Sequence, residues 1–415
     1  MGIVGLIGLF VLLIWPTIAG FSTSIPEAAL PTTGNSFSVV VAEPTVTFDP
    51  VATYASEALH KMDLEQKIRS LLVLHYPGTD AATLQSFMAT YGAGGFILMG
   101  SNIPASPDEL ASLTSVLSSD PELPAIVAID EEGGDVTRLP YDGFAGANTL
   151  RSEDPAATLA AFQGRAALLK SVGVNLNFGI VADVTANPQS FIFSRTLGDT
   201  PDSAAARVAA AVDGEQSVVA STLKHFPGHG STSGDSHVSI PTSGMTEQDW
   251  RLSDAVPFAA GIAAGAPLVM FGHLAYTAVD SLPASLSLAW HTLLRDKLGF
   301  TGITITDDMT MLQGSGLPEF SDPVQNAISA VAAGNDLLLY VLAADPSIDG
   351  VDPNAIVAGL MAAVTNGSIS VGQIDASALR VLTLRRSFAT DALTWHPPCA
   401  APCRALVDAV PTNAQ

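Results

Sequence analysis

The sequence predicts a single α/β domain, a (β/α)8 TIM barrel over residues 55–387. Eight short β-branched or apolar runs alternate with helix-like stretches, the pattern of a closed parallel sheet rather than an open doubly wound one. Ionisable residues gather where those runs end, while the starts of the runs are mostly Gly, Pro and Ala. The segment is also about the size of one such barrel, with little left over.

The runs fall at residues 70–76, 94–100, 124–130 and 174–184, then at 218–226, 267–276, 302–307 and 336–342. Helix-like stretches separate them, as at residues 106–119, 156–172, 203–212 and 325–333. Several open on a capping residue ahead of a proline or an acid, as in Ser106-Pro107-Asp108-Glu109 and Asp322-Pro323. Such a side-chain oxygen satisfies a free N–H of the first turn, and proline fits the first helical position. At the run ends stand Asn102, Asp130-Glu131, Asp183, Lys224-His225, His273 and Asp307-Asp308. In this fold that edge is where active sites form, so polar groups from six strands are expected at one mouth.

Composition narrows the partners. Of 415 residues 48% are hydrophobic and 14% charged, which excludes a disordered chain. Acidic residues outnumber basic ones 40 to 17, for a net charge of −23. A surface so negative repels phosphate backbones, so no nucleic-acid partner is expected. It suits neutral or weakly charged small substrates.

Residues 1–20 read as a signal peptide or an N-terminal membrane anchor, apolar from Ile3 to Ala19 apart from glycines, Pro16 and Thr17. Small residues around Thr17-Ile18-Ala19 suit cleavage; the run is short for a bilayer of roughly 30 Å, and Pro16 interrupts it. Either reading makes the protein exported, secreted or tethered through residues 3–19. Residues 21–54, rich in Ser, Thr, Pro and Ala, read as a linker, and residues 388–415 as a tail. Cys399 and Cys403 in that tail suit a small local disulfide and are too few for a zinc site.

Two stretches carry the chemistry. In residues 302–309, GITITDDM, an apolar strand ends abruptly in two carboxylates. Held rigidly at the mouth, Asp307 suits a nucleophile, and Asp308 is expected to cap the next helix. Residues 224–237, KHFPGHGSTSGDSH, hold Lys224, His225, His229, Asp235 and His237. The first two end a strand; Pro227, Gly228, Gly230 and Gly234 make the rest an irregular, mobile loop.

Three histidines and an acid so close together could ligate a metal. His225 and His229 would share a face only on a helix, however, and Phe226-Pro227-Gly228 cannot continue one. A lone His75 stands near the end of the first run, without the HxH pair of metal-dependent barrel hydrolases. No metal or other cofactor is therefore expected. Asp235, two residues from His237, can accept its imidazole N–H and fix its tautomer, which makes His237 a candidate general acid–base.

Asp130-Glu131-Glu132-Gly133-Gly134 ends the third run, putting a carboxylate in the mouth and letting the backbone turn closely around a ligand. Carboxylates facing vicinal hydroxyls commonly bind sugars. Arg195, in the polar stretch 194–199, and His229 have no role on their own evidence; a loop-shaping contact is the expectation for His229.

Taken together, these motifs resemble glycoside hydrolase family 3, in its β-N-acetylglucosaminidase branch. The matching stretches are residues 94–102 (GGFILMGSN), 130–138 (DEEGGDVTR), 173–183 (GVNLNFGIVAD), 194–199 (SRTLGD) and 224–237. Residues 283–287 (PASLS), 298–309 (LGFTGITITDDM) and 333–338 (AGNDLL) follow in the family's order. KHFPGHG followed by DSH is the most specific of them.

The resemblance implies Asp307 as nucleophile, His237 as acid–base and Asp235 as its partner. It implies Asp130, Arg195, Lys224 and His225 as holders of the terminal sugar's hydroxyls, and a reaction with retention and without a metal. Ser231, Asp135 and Thr196-Leu197 depart from the family's usual residues, which bears on substrate preference.

The expected function is removal of non-reducing terminal β-linked N-acetylglucosamine from small oligosaccharides or muropeptide-type fragments. Phosphorolysis, or β-glucosidase action on the same scaffold, is the rival among enzymes; a catalytically silent cell-wall sugar-binding protein is the rival outside them.

Overall fold

All eight apolar runs form strands in the computed structural model, which describes residues 49–389. The strands are Leu72–Leu74, Gly95–Leu98, Ile126–Ile129, Leu176–Val181, Ala220–Phe226, Leu268–Phe271, Ile303–Asp308 and Leu337–Tyr340, numbered first to eighth below. Each pairs in parallel with its sequence neighbours, and the eighth closes on the first through Leu72–Leu338 and Leu74–Tyr340. Strands of a closed parallel barrel are covered on both faces, which is why these runs are continuously apolar rather than alternating. Almost every residue in them is buried.

Connecting helices start where the capping signals lie. Ser106, Asp154, Thr200, Asp322 and Asp352 each cap a helix whose first residue is proline. The resulting helices include Pro107–Ser115, Pro155–Ser171, Pro201–Glu215 and Pro323–Ala333. The first of these stops at Ser115, four residues short of the predicted end.

The sixth run is longer than its strand. After Phe271 the chain leaves the barrel, and Ala275–Tyr276 pairs instead with Thr242–Ser243. A further helix, Pro50–Lys61, capped by Asp49, begins inside the stretch read as a linker and packs on the helix Val371–Phe388. Residues 1–48 and 390–415, with the apolar start and the Cys399/Cys403 pair, lie outside the described residues. Among the described residues no helix is long and apolar enough to cross a membrane.

The seam between the seventh and eighth strands is held by a charge. Asp336, fully buried at the start of the eighth strand, accepts from Ser377 Oγ at 2.7 Å, Arg380 Nη2 at 2.8 Å, Arg295 Nη2 at 3.0 Å and the Thr304 N–H at 3.0 Å. Burial alone would raise its carboxyl, but the two guanidiniums and these hydrogen bonds outweigh it and hold it below the usual range. At the opposite edge, the strands' C-terminal ends surround the cleft described next.

Candidate active site

The fifth strand ends in Lys224 and His225, and the peptide bonds Lys224–His225 and Phe226–Pro227 are both cis. The loop leaving it is pinned at its root. Trp250 Nε1 donates to the Pro227 carbonyl at 2.9 Å and the Tyr276 hydroxyl to that of Gly228 at 2.7 Å. The Gly230 backbone lies directly on Val184, so that a Cβ there would stand 2.0 Å from the Val184 carbonyl oxygen. Only glycine permits that approach.

Asp183, at the end of the fourth strand, organises this root. One of its oxygens accepts the N–H groups of His225 and His229, at 3.2 and 2.6 Å, and the other lies 2.7 Å from His225 Nδ1. His229 then reaches forward: its ring nitrogens lie 3.1 Å from Thr232 Oγ1 and 3.2 Å from Ser236 Oγ. The expected loop-shaping contact is thus made, with the residue between Asp235 and His237.

His237 Nδ1 lies 2.6 Å from Asp235 Oδ1, which also accepts the His237 backbone N–H at 2.9 Å. His237 is 60% exposed. Partial burial pushes the Asp235 carboxyl up, but hydrogen bonds from His237 outweigh this and keep it below its ordinary value. An ionised Asp235 holds the proton on Nδ1, which leaves Nε2 as the nitrogen able to exchange a proton.

On the cleft floor the third strand's acids meet the fifth strand's lysine. Lys224 Nζ lies 2.7 Å from both Asp130 Oδ1 and Glu132 Oε1. Arg195 grips Glu132 with two bonds, at 2.7 and 3.0 Å, and its Nη2 stands 3.4 Å from His225 Nε2. Burial disfavours every charge here, but the partners more than compensate. Lys224 and Arg195 are held above their ordinary values, and Asp130 and Glu132 below theirs.

Asp307, at the end of the seventh strand, lines the same cleft and accepts the Asp308 N–H at 2.8 Å. Burial pushes its carboxyl up; the fields of His225, His273 and Lys224, with that hydrogen bond, bring it below the usual range. His273 is itself driven down by burial, so at neutral pH it acts on Asp307 as a dipole. Asp308 ends the strand and Met309 holds the cap position of the helix Thr310–Gly314, but the Asp308 carboxylate still accepts the Thr310 N–H at 3.1 Å, as well as the Val341 N–H at 3.0 Å. Burial lifts it to about 6.

These groups surround a cleft of about 400 Å³ whose lining includes Asp130, Glu132, Lys224, His225, His237 and Asp307. Residues 63–384 match the Glycosyl hydrolase family 3 N terminal domain. The chain belongs to glycosyl hydrolase family 3.

Beta-hexosaminidase A of Pseudoalteromonas piscicida is 31% identical over 332 residues, 73% of this chain and 54% of that protein, so the chain spans about half that relative's length. A beta-hexosaminidase of Methylococcus capsulatus is 33% identical over 62% of this chain and 78% of its own. The family 3 beta-N-acetylglucosaminidase of Paenibacillus sp. FPU-7 superposes with a TM-score of 0.72 at 30% identity, over 84% of this chain and 68% of that one.

Within this family 3 barrel the seven residues singled out from the sequence divide by depth. Asp130, Arg195, Lys224 and His225 share the floor with Asp307, while Asp235 and His237 stand together on the loop, where His237 borders the cleft. Among the described residues no group of three or more His, Cys, Asp or Glu side chains is arranged to hold a metal ion.

Two strand-end groups lie elsewhere. Asn102 is buried in loop-shaping bonds to Tyr76, Gly78 and Met99, and Glu131 folds back to accept the N–H groups of Arg138 and Leu139. Glu132, Asp183 and Phe191 had no individual role from sequence, yet each touches the machinery. Position in the DEEGG run was the available signal for Glu132, and the strand-end register for Asp183. Phe191 carried none.

Proposed function

We propose that this protein releases non-reducing terminal β-linked N-acetylglucosamine from short oligosaccharides, with retention, through a glycosyl-enzyme intermediate on Asp307. The observation that carries the reading is an ionised carboxylate at a strand end in one cleft with a histidine whose other ring nitrogen is committed to Asp235. In the first step His237 Nε2 gives its proton to the glycosidic oxygen while Asp307 attacks the anomeric carbon. In the second, Nε2 takes a proton from water as the water oxygen displaces Asp307. Lys224, Asp130, Glu132, Arg195 and His225 hold the terminal sugar by its hydroxyls.

The names of the relatives support the N-acetylglucosamine specificity. Export, suggested by the apolar residues 3–19, makes peptidoglycan-derived fragments one source of substrate. The test is an assay of aryl β-N-acetylglucosaminide against aryl β-glucoside, with and without phosphate. We expect faster release from the first, phosphate independence and a β-anomer as first product. A sugar 1-phosphate would identify a phosphorylase instead, and absence of any turnover would leave only a binding protein.

A further inference from the structure

Depth orders the cleft. Glu132, Lys224 and His225 are buried at its floor, whereas His237, Phe191 and Asp135 are exposed at its outer part. A group that protonates the glycosidic oxygen marks the boundary between the terminal sugar and whatever leaves with that oxygen. His237 therefore locates the leaving group at the level of the outer residues. The Phe191 ring stands edge-on to His237 with centroids 5.7 Å apart, and lies tilted against His229 at 5.6 Å.

A phenyl ring 40% exposed inside a lining otherwise made almost wholly of polar and charged side chains offers an apolar face to a ligand. Isolated exposed apolar residues are ordinary on a surface; this one is set apart by its contact with the proposed acid. The second outer feature is a charge. Lys224, Arg195 and Arg138, the last 3.6 Å from Asp130, are matched in number by Asp130, Glu132 and Asp307 in the same lining. Among the described residues Asp135 forms no such ion pair, so its carboxylate faces the outer cleft uncompensated.

We propose that the outer cleft is a leaving-group subsite in which Phe191 stacks on a sugar ring and Asp135 turns away aglycones that carry a negative charge. The subsite rests on the N-acetylglucosaminidase reading and narrows its substrates: N-acetylglucosamine joined to a neutral sugar is preferred to peptidoglycan-derived fragments whose leaving sugar carries a free carboxylate.

The test compares three substrates with wild type, Phe191→Ala, Phe191→Tyr and Asp135→Asn. The substrates are a neutral β-1,4 disaccharide of N-acetylglucosamine, the same disaccharide with a lactyl carboxylate on its reducing sugar, and N-acetylglucosaminyl fluoride, whose leaving group is too small to reach Phe191. Loss of stacking should lower the disaccharide-to-fluoride ratio of kcat/KM about tenfold in Phe191→Ala, with Phe191→Tyr restoring it. Wild type should favour the neutral over the anionic disaccharide by about three- to tenfold at low salt, and less at high salt, with Asp135→Asn narrowing the gap. Turnover of the fluoride with ratios unmoved by the variants would overturn the subsite alone. No turnover of any of the three would overturn the N-acetylglucosaminidase reading and the subsite with it.

Discussion

Glu132 Oε1 lies 2.7 Å from Lys224 Nζ, so the buried lysine is shared between Asp130 at the strand's end and an acid two residues beyond it. Arg195 uses the same carboxylate, and one side chain therefore orders two cations on the cleft floor. Removing one partner of a buried pair leaves an uncompensated charge, at about 3–5 kcal/mol. Glu132→Ala should lose stability on that scale in urea unfolding and lose sugar binding with it. Glu132→Gln, which keeps the shape and one acceptor oxygen but not the charge, should recover only part of that stability while still raising KM.

Asp307→Asn should fold and bind but lose turnover of an aryl β-N-acetylglucosaminide by more than about a thousandfold, because the amide cannot form the glycosyl ester. Intact-mass measurement with a slow substrate should detect a glycosyl adduct on wild type and none on the variant.

His237→Ala should depend on the leaving group. Alkyl and sugar aglycones need a proton, and their kcat/KM should fall by about a hundredfold or more; an activated aryl glycoside should lose far less in the first step. Equal losses on both would count against His237 as the acid.

Gly230→Ala tests the loop root. A Cβ placed 2.0 Å from the Val184 carbonyl must push the backbone away, and the His237–Asp235 pair lies only a few residues beyond. A displacement near 1 Å can cost about a hundredfold in rate. We expect kcat to drop on that scale with little change in circular dichroism.

Stability should also respond to pH through a group remote from the cleft. Glu215 is fully buried beside Asn177 Nδ2 at 2.6 Å, and burial lifts its carboxyl from 4.5 to about 8, with Asn177 and Arg165 pulling the other way. Between those values the native state keeps a proton that the unfolded chain has released. Stability therefore falls as pH rises through that window, by up to about 4 kcal/mol for this group. Below 4.5 both states are protonated and the contribution is flat. Glu215→Gln should flatten the unfolding free energy between pH 5 and 8.5 and exceed wild type at the upper end.

The strands were legible because a parallel barrel buries both faces, which leaves an unbroken apolar run in the sequence. The strand-end position of Asp307 was legible because the apolar run stops at it, and the Asp235–His237 hydrogen bond because its two partners are neighbours in the chain. What sequence could not resolve was orientation. In Asp130-Glu131-Glu132 three acids look equivalent; Gly133 and Gly134, at φ of 81° and 72°, make a turn beside which Glu132 joins Asp130 on the floor. Glu131 folds back onto backbone N–H groups, and burial lifts it to about 8. Asp183 binds residues more than forty positions away, and Phe191 reaches His237 only through the fold. The sixth run was overestimated because Ala275 and Tyr276 are as apolar as the strand they follow, yet pair outside the barrel.

Asp336 has a consequence for the order in which the molecule can be completed. Its carboxylate sits where the barrel closes, and two of its donors, Ser377 and Arg380, belong to the helix Val371–Phe388. During synthesis the eighth strand leaves the ribosome some forty residues ahead of those donors. Until they arrive, closing the sheet would bury that charge with only Arg295 and Thr304 to satisfy it. The proposed active-site residues are all made earlier than the helix whose donors complete the barrel's closing seam.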